Sequence, residues 1–121
     1  MDNVRVLLVD DQPAFLNALT LVVEEAAGFV VVGEATTGEQ SLLLARQLRP
    51  DLVLMDVNLP GIDGVEATRQ LRKGGAPPVV LLLSTYDEDV GERFVGESGA
   101  AGYVTKSAFG PELLEAVWRG R

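Results

Sequence analysis

Residues 52–64 read LVLMDVNLPGIDG. Four apolar residues, Leu52 to Met55, run straight into Asp56 and then into a loop that holds Pro60, Gly61 and Gly64. A short unbroken apolar run stopped by turn-forming residues reads as a strand buried on both faces. A carboxylate at the end of such a run is costly to desolvate unless something pairs with it. The stretch therefore predicts a central strand over 51–56, and it asks what attends Asp56.

Working outward, the same strand-then-helix alternation fills the chain. Strands read over 4–9, 29–35, 78–84 and 101–105. Helices read over 13–26, 37–49, 65–73, 87–98 and 110–120. Pro13 and Pro111 suit helix first turns. Thr37 with Gln40 three residues on resembles a capping box. Gly91 and Gly96 weaken the fourth helix, each by about 1 kcal/mol against Ala. Strands one, three and four are continuously apolar, which fits a parallel sheet covered on both faces by helices. Five such units predict an α/β fold with one open, doubly wound parallel sheet and right-handed crossovers.

Composition narrows the function classes. A chain of 121 residues that is 47% hydrophobic fits one domain with a real core, bounded here as 1–121. It has no cysteine, which excludes disulfides and thiolate metal sites, and no histidine, which removes the usual general base and zinc ligand. The formal charge of −8 argues against gripping DNA through this surface. No apolar run approaches the roughly 20 residues of a membrane span. The opening MDNVRVLLVDDQ does not read as a secretory leader. The expected location is cytoplasmic.

In open α/β sheets the functional crevice lies beyond the carboxyl ends of the strands. Strand one ends in Asp10–Asp11, strand three in Asp56, strand four in Ser84–Thr85 and strand five in Thr105–Lys106. Each alone is an ordinary turn former, hydroxyl or surface lysine. Together they deliver three carboxylates, a hydroxyl and an ammonium to one sheet edge. Three clustered carboxylates resist full ionisation unless a cation is present. Mg2+, a hard cation held by carboxylates, water and phosphate oxygens, answers that need. Cation, lysine and hydroxyl form a cradle for a phosphoryl group, and Asp56 is the candidate nucleophile to receive it.

The segments LLVDDQ (7–12), LVLMDVNLPGIDG (52–64), LLLSTYDED (82–89) and GYVTKSA (102–108) resemble the receiver domain of bacterial two-component response regulators. The order and spacing of the four motifs fit along essentially the whole chain, and the last two look most like the LuxR/NarL type. The resemblance implies the flavodoxin-like strand order 2-1-3-4-5 with five helices. It implies that Asp56 accepts a phosphoryl group from a phosphohistidine on a sensor kinase. Asp10, Asp11 and Asp56, with the backbone carbonyl of Asn58, would hold Mg2+. Ser84 and Lys106 would bind the phosphoryl oxygens. Ser84 and Tyr103 would act as the switch, and Asn58 and Tyr86 would tune hydrolysis. Homodimerisation through helices one and five is implied for the subtype, and DNA would be met only through an output domain beyond residue 121.

Departures from the family pattern are Ser84 in place of the commoner threonine, and Ser107 where many receivers have a proline after the lysine. Two other readings compete. A Mg2+-dependent phosphohydrolase working through an aspartyl-phosphate commonly has a second aspartate where this chain has Asn58. A receiver-like module that binds without phosphorylation has no need of the intact set Asp10, Asp11, Asp56, Ser84 and Lys106.

Overall fold

The computed structural model describes residues 2–121; Met1, the first residue of the domain as bounded from sequence, lies outside them. Five strands, β1 (Val4–Val9), β2 (Phe29–Ala35), β3 (Leu52–Asp56), β4 (Val79–Ser84) and β5 (Gly102–Thr105), form one sheet. All four strand pairings are parallel and the order is β2-β1-β3-β4-β5. The helices are α1 (Pro13–Glu25), α2 (Gly38–Leu48), α3 (Gly64–Arg72), α4 (Glu88–Ser98) and α5 (Pro111–Gly120).

The two-residue period of a strand sends alternate side chains into two cores. Val6 and Leu8 of β1, Leu52 and Leu54 of β3, and Leu81 and Leu83 of β4 pack with Leu16, Leu19 and Val23 of α1 and Leu114 of α5. Their neighbours Leu7, Val9, Val53, Met55, Val80 and Leu82 pack with Val65, Ala67 and Leu71 of α3 on the other face. This is why the three central strands show no polar alternation: both faces are interior. Each fully buried Leu or Val removes apolar area worth about 1.5–3 kcal/mol.

The helix starts carry local caps. Asp63 Oδ1 accepts the Glu66 N–H at 2.8 Å and Asp87 Oδ1 accepts the Val90 N–H at 3.0 Å. Thr37 Oγ1 accepts the Gln40 N–H at 3.0 Å, as the sequence predicts. The return bond differs: Gln40 Oε1 accepts from the N–H of Thr36, at 2.7 Å, one residue before the cap. Between β5 and α5 the chain makes a single 3-10 turn, Lys106–Ala108, which the hydrophobic pattern does not announce. Trp118 packs edge-on against Phe29 of β2 with ring centres 6.2 Å apart. Among the described residues all peptide bonds are trans, and no helix is long and apolar enough to cross a membrane.

The connection from β1 leads outward to β2, and that from β2 returns across β1 to β3. This reversal opens a crevice between the carboxyl ends of β1 and β3, the two strands that end in aspartates.

Candidate functional site

Asp10 directly follows β1, and its N–H extends the ladder to the Ala35 carbonyl at 3.1 Å. Its Oδ1 accepts the Gln12 N–H at 2.9 Å, an Asx-type turn that bends the chain into α1. Asp56 is the last residue of β3, and the next N–H, of Val57, bonds the Leu83 carbonyl at 3.0 Å. Asp10 is fully buried, Asp56 is 4% exposed, and Asp11 is open to solvent. Each of the three offers a carboxylate oxygen, and these oxygens lie within 4.8 Å of one another. The loop after β3 must pass close to this point. A side chain at Gly64 would overlap the backbone carbonyl of Asp56, so the first residue of α3 has to be glycine.

Lys106, just past β5, reaches across to the carboxylates. Its Nζ stands 2.8 Å from Asp10 Oδ2 and 3.6 Å from Asp56 Oδ1. The same ammonium lies over the Phe15 ring of α1, 4.3 Å from its centre, a cation–π contact that supports the lysine's reach. Among the described residues one cation faces three carboxylates, which leaves an excess of negative charge. The Asp56 carboxyl is pushed up to about 6, chiefly by burial and next by the Asp10 charge, against the pull of Lys106 and the Asn58 N–H. Both causes, desolvation at the end of a buried run and repulsion among clustered carboxylates, are the ones expected from sequence, and burial is the larger.

Ser84, the last residue of β4, is buried at the same edge. Its Oγ accepts from Asn58 Nδ2 at 3.3 Å. Asn58 Oδ1 accepts from the Tyr86 hydroxyl at 3.2 Å, and the Tyr86 carbonyl accepts from the Tyr103 hydroxyl at 2.6 Å. A run of three hydrogen bonds thus links Ser84 at the site to Tyr103 on the edge strand. Burial and the nearby Asp87 raise the Tyr103 pKa above its ordinary value.

All eight residues singled out from sequence meet at this edge. Three contacts escape sequence reading: Phe15 under Lys106, the close approach of Gly64 (named from sequence only as a loop residue) to the Asp56 backbone, and Phe94, whose ring meets Tyr86 edge-on with centres 5.6 Å apart. Gly64 alone leaves a trace in the sequence, since a glycine at the first helical position is otherwise a poor helix former.

The donor set fits a hard divalent cation. Its oxygens are carboxylate, the ligand type Mg2+ takes. The buried Asp10 Oδ2 has Lys106 as an ion-pair partner yet makes no hydrogen bond, so it has free coordinating capacity. The surplus charge of the cluster is the second reason.

A doubly wound parallel sheet with its polar crevice at the β1/β3 switch point defines the CheY-like class of α/β proteins. The chain belongs to the response regulator receiver domain family, whose pattern it matches over residues 6–118. It is 42% identical over 114 residues to the response regulator GacA of Pseudomonas viridiflava, covering 94% of this chain and 53% of that protein. It is 37% identical to the response regulator UvrY of Escherichia coli K12 over the same share of this chain and 52% of the relative. A crystal structure of a LuxR-family two-component response regulator from Aurantimonas sp. SI85-9A1 superposes with a TM-score of 0.88 at 36% identity, covering 99% of this chain and 88% of that one. The chain spans about half the length of the curated relatives it matches. It is a signalling domain of the two-component type.

Proposed function

We propose that Asp56 is the phospho-accepting residue of this receiver. The observation that carries the reading is the convergence of buried Asp56 with Asp10, Asp11, Ser84 and Lys106 at one crevice. An Asp56 carboxylate oxygen attacks the phosphorus of a sensor kinase phosphohistidine. A P–O bond forms, the P–N bond breaks, and its electron pair leaves on the imidazole nitrogen. Asp56 with a pKa near 6 is largely ionised at pH 7.5, as a nucleophile must be. Lys106 would neutralise one phosphoryl oxygen, and the Ser84 hydroxyl would donate to another. Mg2+, held by Asp10, Asp11, Asp56 and the Asn58 carbonyl, would supply charge neutralisation for the incoming phosphoryl oxygens.

The acyl phosphate adds a charge of about −2 beside Lys106 and Ser84. Ser84 then donates its hydroxyl proton to the phosphoryl group and, in moving toward it, gives up the bond it accepts from Asn58. That exchange disturbs the run through Tyr86 to Tyr103 and so reaches the α4–β5 face. Asn58 and Tyr86, which flank the crevice, set how readily water reaches the acyl phosphate. The domain spans 1–121 and acts in the cytoplasm. Its output is transcription through a helix-turn-helix domain beyond residue 121, with DNA contacted there alone. Association of two copies would use α1 and α5, which lie side by side on one face, with Leu21 of α1 exposed.

Intact mass after incubation with Mg2+ and acetyl phosphate tests the reading. One phosphoryl adduct on the wild type and none on Asp56→Asn is the expected result. An equal adduct on both proteins removes Asp56 from the role. No adduct and no beryllofluoride binding would make the domain a phosphorylation-independent module.

A further inference from the structure

Helix α4 carries two interior glycines, Gly91 and Gly96, and both cost helix stability. Their surroundings differ. Gly96 is exposed, and a methyl group there would meet nothing within 4 Å. Gly91 is buried, and a methyl group there would overlap Cγ, Cδ2 and Cε2 of Tyr103. Because Cγ is the ring's point of attachment, a small adjustment at the far end of the side chain does not relieve the overlap. The whole ring has to leave by rotation about χ1.

We infer that Gly91 is the positioning residue for Tyr103. Lacking a side chain, it lets the aromatic ring lie directly on the α4 backbone. From there the hydroxyl reaches the Tyr86 carbonyl at 2.6 Å. Tyr86 in turn holds Asn58, and Asn58 holds Ser84. Gly91 therefore sets the far end of the run of hydrogen bonds that begins at the acidic site. The helix gives up intrinsic stability at this position for close approach of the ring. Its part in signalling, coupling α4 to the phosphoryl state, rests on the receiver reading above; its hold on Tyr103 does not.

The two glycines make an internal control. Gly96→Ala should raise the melting temperature by about 4 °C, the ordinary gain of Ala over Gly inside a helix. Gly91→Ala should lower it. In a Tyr103→Ala background, where the ring is gone, Gly91→Ala should instead raise it as Gly96→Ala does. The chain has two tyrosines, so 3-fluorotyrosine labelling gives two 19F signals. Gly91→Ala should move the Tyr103 signal toward the solvent-exposed value and shift Tyr86 with it, and Gly96→Ala should move neither. A Gly91→Ala protein stabilised like Gly96→Ala, or with both signals in place, overturns the assignment. Beryllofluoride with Mg2+ should shift both signals of the wild type and leave Tyr103 unmoved in Gly91→Ala. If the wild type does not respond at all, the receiver reading fails, and the stabilities and resting spectra still decide the role of Gly91.

Discussion

Lys106 stands closer to Asp10, at 2.8 Å, than to Asp56, at 3.6 Å. The lysine is anchored on the residue after β1 and leans toward the residue that ends β3. This leaves the Asp56 oxygens only partly neutralised, and Asp56 has the raised pKa while Lys106 keeps the pair together. Lys106→Met removes the one cation that, among the described residues, faces two buried carboxylates. The expected loss is roughly 1–3 kcal/mol at pH 7.5, below the full cost of breaking a wholly buried pair because the lysine is partly exposed. The loss should shrink at pH 5, where Asp56 can take a proton. Urea unfolding at both pH values reads it; equal losses at the two would contradict the charge argument.

Asp56 holds its proton more tightly in the folded chain than the ordinary value of 3.8 allows, with a pKa of about 6. Between those values the folded state binds more protons than the unfolded one. Stability contributed by this group is therefore complete below the window and is lost as pH rises through it. The wild type should lose stability from pH 4 toward pH 6.5 more steeply than Asp56→Asn, which has no carboxyl to ionise. At pH 7.5, without divalent cation, Asp56→Asn should be the more stable protein. A parallel pair of pH profiles would show that Asp56 is not strained by its charge.

Mg2+ should stabilise the chain by binding the folded site, through RT ln(1 + [Mg2+]/Kd). The gain in melting temperature at 10 mM Mg2+ should be large at pH 7.5 and small at pH 5, where Asp56 is protonated. Asp11→Asn, which removes the exposed carboxylate and leaves the buried pair, should cut the gain sharply without unfolding the protein. Calorimetric titration of both proteins checks this. An unchanged Mg2+ response in Asp11→Asn would remove that residue from the ligand set.

Gly64→Ala forces a methyl group against the Asp56 backbone. The expected cost is about 1–3 kcal/mol from overpacking, against a helix-propensity gain of under about 1 kcal/mol. A lower urea midpoint with an unchanged slope is the predicted result. Unchanged stability would mean that the loop gives way freely.

The architecture was legible because short apolar runs with no polar alternation, bounded by turn formers, read as strands covered on both faces, and Leu52–Met55, Val6–Val9 and Val79–Leu83 are such runs. The candidate site was legible because strand ends converge by topology, so Asp10, Asp56, Ser84 and Lys106 could be read off one after another. What escaped was contact between elements distant in sequence. Nothing near Phe15 announces that Lys106 will lie over its ring. Gly91 reads from sequence as a weak point in a helix, and only the Tyr103 ring above it gives the reason. The turn at Lys106–Ala108 was missed because three residues are too few to carry a period.

The most direct test of the central claim is borohydride trapping. The wild type is incubated with Mg2+ and acetyl phosphate, reduced with borohydride, digested, and mapped by mass spectrometry. Reduction converts an aspartyl-phosphate to homoserine and leaves free carboxylates alone. The account predicts homoserine at position 56 and at no other aspartate, with none when Mg2+ is chelated. Homoserine at Asp10 or Asp11, or an adduct on a hydroxyl that borohydride does not touch, would contradict it.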